Sequence, residues 1–92
     1  MNTLQQNKIE KELSFFQKLD YKLTKKNDYD IRKGRCYSYV LEKNNVQIHC
    51  YYTIHLISNR VTGNFKIWDT NTTSYIVEPT KSYKDFTHKY FY

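Results

Sequence analysis

The chain contains no alanine, only two glycines and a single proline among its 92 residues. Without small residues, backbones cannot approach closely, so any core must be filled by bulky side chains standing apart. The two glycines, Gly34 and Gly63, are isolated and cannot build a phosphate-cradling loop. Two cysteines are too few for a disulfide scaffold and suit a reducing compartment. No apolar run reaches the length of a signal peptide or a membrane span. The longest candidate, Val46–Ile57, is interrupted by Gln47, His49, Thr53 and His55, and Met1–Lys8 is polar. These features lead us to expect a soluble protein without a membrane span, located in the cytoplasm, or in the host-cell cytoplasm if a phage encodes it. Also missing is any close carboxylate pair suited to acid–base work, since Glu42, Asp69, Glu78 and Asp85 are scattered.

What is present is aromatic and basic. Ten Tyr, five Phe and one Trp supply the large side chains, and tyrosine suits both a thin core and an adhesive surface. Abundant Lys, Asn, Ile and Tyr point to the coding bias of an AT-rich genome, such as that of a low-GC bacterium, a phage or a mobile element. The formal net charge is +6. Residues 1–30 hold six Lys against five acidic residues, whereas residues 31–92 hold nine basic against four acidic. The excess therefore belongs to the second two-thirds of the chain and favours anionic partners.

The clearest pattern runs from Arg35 to Ile57. Val46, Ile48, Cys50, Tyr52, Ile54 and Leu56 alternate with Gln47, His49, Tyr51, Thr53 and His55, the period of a half-buried strand. With Asn44-Asn45 as a two-residue turn, Lys43 pairs with Val46 and the register follows. Leu41 then faces Ile48, Tyr39 faces Cys50 and Tyr37 faces Tyr52. The reverse face pairs Glu42 with Gln47, Val40 with His49, Ser38 with Tyr51 and Cys36 with Thr53. Cys36 and Cys50 consequently point to opposite sides and cannot form a disulfide.

Upstream, Ile9, Leu13, Phe16, Leu19 and Leu23 recur at helical spacing. Asn7 and Glu10 have the spacing of a capping box, and the helix is expected to end near Lys25-Lys26. Residues 1–7 are read as a frayed N-terminus and residues 27–34 as a connector. Downstream, a third strand is expected over Phe65–Trp68 and a fourth over Thr73–Glu78, closed by Pro79. Residues 79–92 are read as a C-terminal extension or short helix, with Ser82 and Asp85 in capping positions. The fold class is thus α+β: one domain over residues 1–92, with an N-terminal amphipathic helix packed on a four-stranded antiparallel meander. This order resembles the helix-plus-sheet arrangement of the cystatin-like folds, a resemblance of architecture that implies no particular function.

Functional material is limited. His49 and His55 share the polar face but stand roughly 20 Å apart at strand rise, too far for one metal site, and no cofactor or metal is expected. The candidate protein-binding residues are His49, Tyr51, His55, Trp68 and Lys66, because Tyr and Trp anchor interfaces by burying much area while retaining polar contacts. Lys25, Lys26, Arg32, Lys33 and Arg35 form a basic run that nucleic acid would use. The favoured expectation is a small non-enzymatic accessory or inhibitor, of phage or mobile-element origin, that occludes a larger protein or self-associates. Single-stranded DNA or RNA binding is the alternative, and a small enzyme built on an isolated histidine comes third.

Overall fold

The computed structural model describes residues 1–92. Helix α1 spans Thr3–Lys18 and is followed by strands β1 (Lys22–Ile31), β2 (Gly34–Lys43), β3 (Val46–His55), β4 (Val61–Asp69) and β5 (Ser74–Thr80), then by helix α2 (Tyr83–Tyr90). The five strands form one antiparallel sheet in sequence order. The class is therefore α+β, with five strands rather than the expected four.

The central hairpin follows the alternation of its sequence. Lys43 pairs with Val46, Leu41 with Ile48, Tyr39 with Cys50, Tyr37 with Tyr52 and Cys36 with Thr53. Asn44 and Asn45 both adopt positive φ, at 49° and 65°, as a two-residue turn between twisted strands requires. Strand β3 stops at His55, so the alternation ends there, and Leu56, expected on the dry face, is 76% exposed.

The largest correction concerns residues 19–31. The helix ends at Lys18, and the stretch read as its last turns plus a connector forms β1 instead. Leu19 and Asp20 bond back to Phe16 and Gln17, and Asp20 takes a φ of 71°, reversing the chain. The following residues then pair along β2, so hydrogen bonding to a partner strand overrides the local helical spacing. The start shifts as well. α1 begins inside the stretch expected to fray, and its capping box uses Asn2 and Gln5 rather than Asn7 and Glu10. At the other end, Pro79 lies within β5 rather than closing it, which an edge strand tolerates.

Both helices lie on the same side of the sheet. Ile9, Leu13 and Phe16 of α1 and Phe86 of α2 pack with Tyr39, Leu41, Ile48, Cys50, Tyr52, Phe65, Ile67 and Val77 in a single core. Aromatic edges fill the space that small residues would otherwise close: Phe16 meets Phe86 at 6.0 Å, and Phe65 meets Tyr52 at 5.5 Å. No helix crosses the opposite, outer face of the sheet, and neither helix is long and apolar enough to span a membrane.

Candidate functional site: the uncovered sheet face

Strand alternation places Lys25, Asn27 and Tyr29 of β1 in rows with Val40, Ser38 and Cys36 of β2 on the outer face. The same rows continue through His49, Tyr51 and Thr53 of β3 to Lys66, Asn64 and Thr62 of β4. Gln47 stands opposite Trp68, and Trp68 opposite Tyr75 of β5. Four of the five expected protein-binding residues, His49, Tyr51, Lys66 and Trp68, thereby converge.

Their geometry is that of a packed stripe. The Lys66 ammonium sits 5.4 Å from the Tyr51 ring centroid and 5.6 Å from that of Tyr75, so one cation bridges two electron-rich faces. Trp68 meets Tyr75 edge to face at 4.9 Å. The His49 ring stacks on that of Tyr51 at 6.3 Å, and its Nε2 lies 3.0 Å from Gln47 Oε1. Partial burial, followed by the charges of Lys66 and Lys25, pushes the His49 imidazole below its ordinary value. A histidine held neutral among cations, with no carboxylate partner, is poorly equipped for acid–base catalysis.

His55 stands apart from this stripe, at the end of β3, where it bonds Thr62 Oγ1 at 3.0 Å. It lines an open groove of about 770 Å³ together with Tyr29, Arg32, Lys33, Tyr51 and Lys81. No carboxylate lines that groove.

The five basic residues read from sequence as one run are separated by the fold. Lys25 joins the outer face, opposite Val40. Lys26 lies opposite Tyr39, on the helical side. Arg32 and Lys33 occupy the β1–β2 turn. Arg35 shares the helical side with Tyr37 and binds Asp28 and Asp30, each at 2.6 Å, so its charge is internally paired. These five cations therefore do not form a single phosphate track.

Tyr75 and Tyr29 complete the outer face and Lys81 borders its groove; the sequence reading does not single out these three. Tyr75 could have been found from the tight β4–β5 connection, which sets it against Trp68. Tyr29 was hidden because its segment read as a connector. Cys36, although on the outer face, is buried, and Cys50 is buried in the core; both thiols are free. Burial pushes the Cys50 thiol well above its ordinary value, the opposite of what a nucleophile needs. No group of three or more His, Cys, Asp or Glu side chains is arranged to hold a metal ion.

No family model, curated protein or solved structure matches the chain.

Proposed function

We propose that this chain is a small non-enzymatic binding protein that covers an acidic surface of a larger protein with its outer sheet face. The observation that supports this reading is the stripe Tyr51–Lys66–Tyr75–Trp68, left uncovered because both helices pack on the other side of the sheet. Aromatics already fixed against one another bury area on association at little cost in side-chain ordering. The charged residues in the paired rows of this face are Lys22, Lys25 and Lys66 against Glu42 alone, which complements an acidic partner. A protein surface fits better than nucleic acid because the Tyr51 ring already carries Lys66 and His49, leaving it less available for base stacking. Mechanistically the protein acts by occlusion, as an accessory or inhibitor, and the coding bias suits a phage or mobile-element source.

One observation favours a second reading. The groove bordered by Arg32, Lys33 and Lys81, with Tyr29 at its rim and no carboxylate, suits a single-stranded phosphodiester chain.

Affinity isolation from the natural host, with and without nuclease, separates the two. The primary reading expects one stoichiometric protein that survives nuclease and moderate salt. Its capture should fall at least about tenfold with Trp68→Ala or Lys66→Glu. Loss of all capture on nuclease treatment, with sensitivity to Arg32→Glu and Lys81→Glu instead, would establish the second reading in its place.

A further inference from the structure

The two edges of the sheet differ. β5 is seven residues long, contains Pro79 and pairs with β4 through two register irregularities, features that discourage further strand pairing. β1 is ten residues long, contains no proline and is exposed at every position; its one irregularity against β2 falls between Leu23 and Lys25, leaving Lys25–Ile31 in unbroken register. It pairs only with β2, so its other edge offers unpaired backbone donors and acceptors. Long exposed edges of this kind recruit another strand unless their side chains prevent it.

The side chains of β1 select a particular strand. In a two-fold antiparallel pair continuing the sheet, opposed residues share a face, so the central residue must oppose its own copy. Centring the pair on Asn27 sets Lys26 opposite Asp28 of the second copy on the helical side, twice by symmetry. It also sets Lys25 opposite Tyr29 on the outer side, again twice. Opposite charges directly across a strand pair stabilise it, as does a cation over a tyrosine ring. The neighbouring symmetric registers can also oppose charges, as Lys26 to Asp30 when centred on Asp28, but each places one like-charged pair on the axis. Centring on Asp28 opposes Asp28 to itself, and centring on Lys26 opposes Lys26 to itself, which is unfavourable.

The groups needed retain bonding capacity. Lys26 takes part in no ion pair within the chain. Arg35 binds only Oδ2 of Asp28, leaving Oδ1 available. We infer that β1 is a self-association edge: two copies of this chain pair through Lys25–Tyr29, centred on Asn27, and join their sheets into one of ten strands. The two outer faces then form a continuous surface, with both helical layers on its other side. Strand pairing over so short a segment buries little area, so the dimer belongs to the micromolar class.

Sedimentation equilibrium of the full chain tests this directly. The wild type should show a monomer–dimer equilibrium with a Kd of about 1–100 µM. Lys26→Asp and Asp28→Lys should each weaken association at least about tenfold. Mixed together, those two variants should form a heterodimer, because each opposed position then carries opposite charges. Asn27→Cys should form an intermolecular disulfide under mild oxidation, whereas Asn71→Cys, in the β4–β5 turn, should not. Far-UV circular dichroism confirms that each variant is folded; β1 is exposed, so these changes spare the core. A wild type that remains monomeric at several hundred micromolar would overturn the inference. So would a dimer indifferent to Lys26 and Asp28 but broken by Trp68→Ala, which would place the second copy on the outer face. Neither result depends on the larger partner proposed above, whose capture is read separately.

Discussion

The Tyr52 phenol donates a 3.1 Å hydrogen bond to Oε1 of Glu12, forty residues earlier in the chain. Glu12 is a buried carboxylate on α1, and its other oxygen accepts from Lys8 Nζ at 2.5 Å. Its backbone carbonyl accepts from the Tyr83 phenol, at 3.3 Å, just as α2 begins. One residue thus ties the long helix to the middle of the sheet and to the second helix.

Removing the phenolic hydroxyl would leave Glu12 Oε1 buried without its donor. Tyr52→Phe should therefore cost about 1–3 kcal/mol of stability, the penalty for stranding a buried acceptor. Glu12→Gln keeps an acceptor for Tyr52 and should cost less than Glu12→Ala. Urea unfolding of the three variants checks the order, and a Tyr52→Phe midpoint equal to wild type would show that the bond adds nothing.

The same core predicts an alkaline limit. Burial pushes the Tyr52 phenol and the Cys50 thiol far up, and raises Tyr83 to about 12. In the unfolded chain a thiol loses its proton near about 8.5 and a phenol near about 10. The folded chain therefore holds more protons above those values, and its stability falls as pH rises. The contribution is whole below about pH 8 and erodes progressively from about 9 upward. Urea midpoints at pH 8, 10 and 11 should decline in that order, and the decline should be shallower in Tyr52→Phe.

His49 should behave in the opposite sense. Burial first, then Lys66 and Lys25, hold its imidazole below the ordinary value, so it is neutral at pH 7. A depressed value means that the folded state resists protonation, and its stabilising contribution is lost as pH falls below about 6.5. Replacing Lys66 by Met removes one of the opposing charges and should shift the His49 titration upward, as followed by imidazole NMR signals. An unchanged titration would separate His49 from the stripe.

Glycine substitutions should rank by what a new methyl group would strike. A β-carbon on Gly34 would lie 2.0 Å from the Ile54 carbonyl oxygen, a backbone atom that cannot step aside. One on Gly63 would lie 2.5 Å from the tip of the Phe65 ring, a side chain able to turn at some packing cost. Gly34→Ala should cost about 2–4 kcal/mol and Gly63→Ala about 1–3 kcal/mol. Thermal unfolding of both variants tests the order.

The legible parts of the fold were those in which burial imposes a period. Tyr39 and Cys50 face each other because the alternation on β2 and β3 leaves one register that keeps both apolar sets on the same side. His49 and Tyr51 share a face by the same reasoning, whereas Trp68 lies on a strand whose register the sequence leaves open and joins them through the pairing of β3 with β4. β1 was illegible for the converse reason: every residue in it is exposed, so no apolar alternation marks it. Leu19 and Leu23 meanwhile continue the helical spacing of Ile9, Leu13 and Phe16. Only the ladder to β2, a long-range relationship, decides between the two. The basic residues were misgrouped as a result, since recognising a strand at Lys25-Lys26 is what sends adjacent cations to opposite sides.

Tyr92 stacks on Phe15 of α1 at 5.8 Å, so residue 92 sits beside the first helix. A purification handle or fluorophore appended there would emerge behind the molecule, pointing away from Trp68 and Lys66. Immobilised through that end, the protein would present its front unobstructed, which makes carboxyl-terminal tethering the right choice for capture measurements.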